Sequence, residues 1–154
     1  ESSVGGHDLR IYLDMCCYNR PYDDQAQLKV FMETQSKLYI QKLIKEKQFE
    51  LVASYMLRYE CNNNPFEMRR NTILDFIHKN TFAYVGVERK VEIETKASEI
   101  MQTGIKFKDA CHVASAIYAG CEYFISTDIR LLKYNTKEIK MVSPIEFVTE
   151  MEGE

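Results

Sequence analysis

Hydrophobic and polar residues along the chain follow two alternating periods, which predict strands separated by helices. Short apolar and β-branched runs predict five strands, and the segments between them carry apolar residues at helical spacing. The predicted strands cover residues 9–14, 49–54, 81–87, 121–126 and 138–142.

Turn and capping residues place the ends of the predicted helices. Asp23 or Asp24 is expected to cap a long first helix that ends near Lys47, and Asn64 to cap the third. Further helices are predicted over residues 55–61, 65–80, 88–103 and 106–119, and a capping box at residues 143–146 begins the last one. The apolar stripe of the first helix is predicted to comprise Leu28, Phe31, Met32, Leu38, Tyr39, Leu43 and Ile44.

This order of elements predicts one α/β domain. Parallel strands need crossover connections, so strands that alternate with helices predict a three-layer α/β/α fold around a central, mainly parallel five-stranded sheet. A length of 154 residues suits a single domain, assigned here to residues 9–154. Residues 1–8 lack an initiator Met and are interpreted as an expression scar or a disordered start.

Composition narrows the class of protein. With 45% hydrophobic and 28% charged residues, the chain is expected to fold. Its net charge of -3 excludes attraction of a polyanion such as RNA by an overall positive charge of the protein. Five cysteines without disulfide or zinc spacing predict reduced thiols and a cytoplasmic location. The chain has no apolar run of about 20 residues, so no membrane partner is expected.

Four acidic residues follow predicted strands or begin predicted helices. Asp14 ends the first strand, Asp128 follows the fourth, and Glu60 and Asp109 lie early on helices. Sites in parallel sheets form beyond the carboxyl ends of the strands, so these acids are expected to share one crevice. Converging carboxylates repel one another unless a cation lies among them. The pattern therefore predicts a Mg²⁺ or Mn²⁺ site suited to phosphodiester hydrolysis.

Each acid also has an ordinary structural interpretation. Asp14 could simply end a strand, Asp109 could complement a helix dipole, and Asp128 could cap a helix. Glu60 could pair with a neighbouring arginine. The joint occurrence of all four favours the metal site.

Four motifs carry a resemblance to a known family. They are IYLDMCCYNRP at positions 11–21, ASYMLRYE at 53–60, GIKFKDACHVA at 104–114 and FISTD at 124–128. Together they resemble the PIN-domain nucleases, and the resemblance extends from residue 9 to about residue 148. By position, it implies that Asp14, Glu60, Asp109 and Asp128 bind Mg²⁺ or Mn²⁺ and are the catalytic acids of an endoribonuclease.

The same resemblance implies partners for this protein, and the sequence departs from the family pattern at one position. PIN-domain proteins include toxins of toxin-antitoxin modules, so an antitoxin protein and a homodimer are expected beside the RNA substrate. The family often has Ser, Thr or Asn two residues after the first acid, whereas Cys16 stands here. Cys16 is therefore expected to lie next to the metal ligands. His112 is a second candidate for this position, although a structural role in packing or hydrogen bonding is the favoured interpretation of this residue.

Basic residues near the acids predict contacts to RNA phosphates. Their alternative is ordinary solvated surface. The candidate substrate-binding residues are Arg20, Lys106, Lys108, Thr127 and Arg130, with Lys133 nearby. Tyr18 and Tyr22 are candidates for base stacking, with packing as the alternative.

Two other classes of function stay open at this stage. One is a noncatalytic PIN-fold module that binds RNA or protein. The other is a phosphatase or dehydrogenase on a similar sheet, which the missing Gly-rich fingerprint and the missing D-x-D motif at Asp14 disfavour.

Overall fold

A five-stranded parallel sheet runs through the centre of the protein. The computed structural model describes residues 9–153, so the interpretation of residues 1–8 lies outside the described residues. The strands are β1 (Leu9–Leu13), β2 (Phe49–Ser54), β3 (Thr81–Val85), β4 (Tyr123–Ile125) and β5 (Lys140–Val142). Their order is β3-β2-β1-β4-β5, and each neighbouring pair is parallel. The chain order reverses between β1 and β4, so a crevice is expected beyond the carboxyl ends of these two strands.

Helices cover both faces of this sheet. Two 3₁₀ turns, Arg20–Tyr22 and Val87–Arg89, adjoin them. In the described part of the chain the helices are α1 (Met15–Asn19), α2 (Leu28–Lys45), α3 (Tyr55–Asn62), α4 (Glu67–Asn80), α5 (Lys90–Met101), α6 (Phe107–Tyr118), α7 (Ile129–Leu132) and α8 (Pro144–Glu152).

The alternation of side chains in β1 separates two cores. Ile11 and Leu13 belong to the core that β1 shares with α1, α2, α4 and α8, whereas Tyr12 belongs to the core shared with α5 and α6. All three side chains are fully buried, because a central parallel strand is covered on both faces. The predicted three-layer α/β/α fold is thereby confirmed.

Several predicted boundaries are corrected by local hydrogen bonds. The short helix α1, which was not predicted, follows Asp14 directly. Neither Asp23 nor Asp24 caps α2: Asp24 Oδ1 accepts a hydrogen bond from the Ala26 amide, and the helix begins at Leu28. Asn64 likewise accepts from the amide of Phe66, ahead of α4. The predicted capping box of α8 is confirmed.

The predicted apolar stripe of α2 is wrong for most of its length. Leu28 is 71% exposed and Phe31 45% exposed, whereas Glu33 and Lys37 face the core. On this buried face Glu33 Oε1 lies 2.7 Å from Arg20 Nε, and Val30 and Ile40 are the further apolar residues that the helix buries. Packing against the rest of the protein therefore sets the rotation of the helix, which its own periodicity does not reveal.

Lys37 gives the first prediction, because its ammonium is buried over the Tyr18 ring without a carboxylate partner among the described residues. Burial lowers the pKa of Lys37 to about 8. Charge on this residue therefore opposes folding at neutral pH, and stability should rise between about pH 8 and the ordinary lysine pKa of about 10.4. Lys37→Met should raise the free energy of unfolding near neutral pH by up to about 3 kcal/mol and remove this rise.

Urea unfolding near neutral pH and at about pH 9.5 measures the effect, with the exposed Lys29→Met on the same helix as the control. Equal stability changes in the two variants would contradict the burial argument.

Candidate active site

The four predicted acids lie on elements that meet at the carboxyl ends of β1 and β4. Asp14 follows β1 directly and is the N-cap of α1, and Asp128 is the N-cap of α7. Asp109 lies in the first turn of α6, and Glu60 lies near the end of α3. We call these four residues the acidic cluster.

Asp14 is buried and held by three neighbours. Its Oδ1 accepts a hydrogen bond from the Met15 amide at 2.8 Å, and its Oδ2 accepts one from Ser126 Oγ at 2.8 Å. Cys16 Sγ lies 3.5 Å from the same Oδ2 and 3.4 Å from Ser126 Oγ. A hydroxyl group therefore does contact Asp14. It belongs to Ser126, directly after β4, and not to the residue at position 16.

Ser126 also joins the first acid to the fourth. Its Oγ accepts a hydrogen bond from the Asp128 amide at 3.0 Å while donating to Asp14. Asp128 Oδ1 in turn accepts from the amides of Arg130 and Leu131, as its capping role requires. One buried serine thus fixes the ends of both strands that flank the crevice.

Glu60 is oriented by a buried histidine. His112 Nε2 lies 2.8 Å from Glu60 Oε1 and 4.0 Å from Asp14 Oδ1. Burial lowers the pKa of His112, but the hydrogen bond to Glu60 and the nearby carboxylates outweigh it and raise that pKa above its ordinary value. For Glu60, burial raises the pKa. The hydrogen bond to His112 and the charges of His112 and Lys108 outweigh this effect and lower the pKa of Glu60 below its ordinary value.

The other nitrogen of His112 continues a chain of buried hydrogen bonds. Nδ1 lies 2.6 Å from the Tyr12 hydroxyl, which lies 2.6 Å from Ser54 Oγ. Ser54 is the N-cap of α3 and accepts from the Leu57 amide at 3.1 Å. The chain therefore links β1 and α6 to the start of the helix that carries Glu60, which fixes the orientation of this acid.

A second prediction concerns the Tyr12 hydroxyl. Tyr12→Phe keeps the ring stacked on Phe124, but it leaves Ser54 Oγ and His112 Nδ1 buried without this partner. We expect a loss of about 1 to 3 kcal/mol in the free energy of unfolding. Tyr18→Phe is the matched control, because the buried Tyr18 hydroxyl finds no partner within residues 9–153. Chemical denaturation measures both, and equal losses would mean that the hydroxyl chain stabilises nothing.

Asp109 carries a negative charge that nothing in the described residues neutralises. Its pKa is raised by burial first, and then by the charges of Asp14, Asp128 and Glu60, which outweigh the opposing effect of His112. Within residues 9–153, no hydrogen bond or ion pair reaches its carboxylate. The other three acids of the cluster therefore all repel charge on Asp109, and this position favours a cation.

The donor set suits a hard cation that keeps much of its water. In the described part of the chain, no three His, Cys, Asp or Glu side chains lie close enough together to hold a metal ion by themselves. Mg²⁺ usually binds proteins through one or two carboxylates and retains several waters. The carboxylates of the acidic cluster fit that chemistry, and a closed zinc site is not formed.

The predicted basic residues fall into two groups. Lys106 and Lys108 are exposed at the start of α6, and Arg130 is exposed at the start of α7, so all three lie beside acids of the cluster. Arg20 is instead bound to Glu33 and to Asp23, the latter at 2.8 Å.

Thr127 and the candidate tyrosines are placed differently from one another. Thr127 is buried, and its amide donates to Cys16 Sγ at 3.3 Å. Tyr18 is 1% exposed and packs in the core, which excludes base stacking. Tyr22 is 36% exposed and stays a candidate.

Sequence reasoning missed Ser126, Tyr12 and Ser54 as parts of this site. A polar residue directly after β4 and two positions before Asp128 was a usable signal for Ser126. Tyr12 and Ser54 gave no signal, because an aromatic residue in a buried strand and a serine before a helix are ordinary.

The cysteines relate to the expected reduced thiols, and the helices relate to the question of a membrane span. All five cysteines are free thiols, and burial raises the pKa of Cys111 to about 11 and that of Cys121 to about 12. Within residues 9–153, no helix combines the length and the apolar composition needed to cross a bilayer.

Solved structures share this fold at low sequence identity. VapBC2 from Rickettsia felis, bound to a DNA fragment from their promoter, matches with a TM-score of 0.54 and 12% identity over 88% of this chain and 98% of that chain. FitAB bound to an IR36 DNA fragment matches with a TM-score of 0.58 and 15% identity, over 88% and 95%. FitAcB from Neisseria gonorrhoeae matches with a TM-score of 0.53 and 14% identity, over 87% and 97%.

No protein-family model and no curated protein matches the chain. The structural likeness confirms the predicted PIN-like fold.

Proposed function

We propose that this protein is a metal-dependent endoribonuclease that hydrolyses RNA phosphodiester bonds at the acidic cluster. The observation that carries the proposal is the uncompensated Asp109 carboxylate, whose pKa is raised by burial and by Asp14, Asp128 and Glu60. Like charges held close together and partly withdrawn from water are costly unless a cation lies among them.

Asp14, Glu60, Asp109 and Asp128 would hold Mg²⁺ or Mn²⁺, directly or through water. When bound, such an ion lowers the pKa of a water molecule and offsets charge on the phosphodiester. The chain's own contribution is orientation: Ser126 and the Met15 amide fix Asp14, and His112 fixes Glu60. Rigid support of this kind keeps ligand oxygens in place before the substrate arrives.

Exposed basic residues next to the cluster would contact the RNA backbone. Lys106, Lys108 and Arg130 supply positive charge that the acidic protein lacks overall. Arg20 is engaged by Glu33 and Asp23, so any contact that it makes with RNA would be shared with these ion pairs.

We further propose that the protein is the toxin of a toxin-antitoxin pair. The structures that share its fold are named as the VapBC2, FitAB and FitAcB assemblies. An antitoxin protein would therefore be its regulatory partner, and a homodimer is the expected assembly. Co-expression with the product of the neighbouring gene, followed by purification through one tagged chain, tests for the antitoxin.

A noncatalytic PIN-fold module that binds RNA or protein is the alternative. The observation that favours it is that no three His, Cys, Asp or Glu side chains among residues 9–153 form a group that could hold a metal ion. Incubation of a labelled RNA with the protein in Mg²⁺, in Mn²⁺ and in EDTA distinguishes the two functions. Cleavage that EDTA stops and Mn²⁺ restores supports the nuclease, and binding without cleavage in either metal supports the alternative.

A further inference from the structure

An open groove lies beside Glu60. It has a volume of about 320 Å³, near the lower end of the range for small-ligand sites, which is roughly 300 to 1,000 Å³. Side chains from the 3₁₀ turn, the end of α3 and the start of α4 line it. We call it the Arg69 groove, and its main lining residues are Asn19, Tyr22, Glu60, Asn63, Phe66 and Arg69.

Arg69 is held in this groove by aromatic rings. Its guanidinium carbon lies 4.2 Å from the centre of the Phe66 ring and 5.2 Å from that of the Tyr22 ring. In the described residues, no hydrogen bond or ion pair engages its five N–H donors. The two rings restrict the side chain, so less conformational entropy is lost when those donors bind a ligand.

The rest of the groove offers matching polar and stacking groups. The side-chain amides of Asn19 and Asn63 make no hydrogen bond within residues 9–153, and amides of this kind pair with the edges of bases. Phe66 is 55% exposed and Tyr22 is 36% exposed, so each ring keeps surface on which a base can stack.

We propose that the Arg69 groove binds one unpaired nucleotide of the RNA strand whose phosphodiester lies at the acidic cluster; this rests on the proposed function. Glu60 lines the groove and belongs to the cluster, so the two sites are continuous. Ring faces, a guanidinium and free amides together recognise a splayed base and its phosphate. A peptide from a partner protein is the competing occupant.

Fluorescence anisotropy with a labelled single-stranded RNA of about eight nucleotides tests this proposal. Every protein carries Asp109→Asn so that the RNA stays intact, and the groove variants are Phe66→Leu and Arg69→Lys. Phe82→Leu and Arg89→Lys are the controls, since Phe82 is 59% exposed on β3 and also lies beside an arginine. We expect each groove variant to bind at least about fivefold more weakly and the controls to bind unchanged.

A set of RNAs with one abasic site at successive positions identifies the bound base. One position should weaken binding of the parent protein by at least about fivefold, and the same RNA should cause no further loss in Phe66→Leu. The proposal is overturned if the parent protein binds no RNA, if the groove variants bind as the controls do, or if every abasic loss persists in Phe66→Leu. Either of the last two results would favour a peptide from a partner protein as the occupant of the groove.

This binding assay is independent of catalysis. If the unsubstituted protein cuts no RNA in Mg²⁺ or Mn²⁺ but the groove variants lose binding, the nuclease proposal fails and the groove proposal stands. If RNA is cut and the groove variants bind it as the controls do, the nuclease proposal stands and the groove proposal fails.

Discussion

Asp14→Asn, Asp109→Asn and Asp128→Asn are each expected to remove most RNA cleavage while leaving the fold intact. The loss should exceed the roughly 10- to 100-fold that removal of a residue supporting a metal ligand costs. Initial rates with a labelled RNA in Mn²⁺ measure the loss, and far-UV circular dichroism checks the fold. The reason is that each substitution removes one of the four charges that favour a cation at this site.

Asparagine preserves most of the structural contacts of these positions. The Asp128 carboxylate caps α7, and asparagine is an equally good N-cap. Asp14 accepts hydrogen bonds from the Met15 amide and from Ser126, and an amide oxygen can accept one of them. Asp109 has no such contact to lose in the described residues. A loss of cleavage is therefore attributable to charge.

Asp75→Asn is the control for this series, because Asp75 is an exposed acid whose ion pair with Lys79 lies on α4. Its cleavage rate should match that of the unsubstituted protein. Full activity in all three cluster variants would rule out the acidic cluster as the site of RNA cleavage.

Metal ions are expected to reverse the stability order of the unsubstituted protein and Asp109→Asn. In EDTA the variant should be equally stable or more stable, since it relieves repulsion within the acidic cluster. In excess Mn²⁺ the unsubstituted protein should gain RT ln(1 + [L]/Kd), about 2.7 kcal/mol at a hundredfold excess over Kd, and the variant much less. Thermal melts of both proteins in EDTA and in Mn²⁺ measure this reversal.

The pH dependence of the metal-free protein follows from the same repulsion. The folded-state pKa of Asp109 is raised above its unfolded value, so its favourable contribution is fully present below the unfolded pKa, about 3.9. That contribution is lost as the pH rises through the folded-state pKa. The stability difference between Asp109→Asn and the unsubstituted protein should therefore grow in favour of the variant as the pH rises through this window.

A different result would follow if Asp109 served only as a helix-terminal charge. Its removal would then cost about 0.3 to 1 kcal/mol, with or without metal. A metal-independent loss of stability in the variant would support that simpler role.

The two residues that support Glu60 and Asp14 differ in how far sequence could predict them. His112 was identified as a candidate because it lies one helical turn after Asp109. Its partner Tyr12 is 100 residues away, and Ser126 is 112 residues from Asp14, so no local spacing connects either pair. The Arg69 groove likewise joins Tyr22 to α4 across more than one element.

The sequence by itself determined most of the elements and the positions of Asp14, Asp109 and Asp128 within them, whereas Glu60 was predicted early on its helix and lies near the end of α3. Periodicity and capping depend on residues a few positions apart, and strand ends in a parallel sheet must share one edge. Only the tertiary structure decided the rotation of α2, the hydroxyl that fixes Asp14 and the histidine that orients Glu60. These features depend on packing between elements distant in sequence, which places Glu33 against Arg20 on the buried face of α2 and leaves Leu28 and Phe31 exposed.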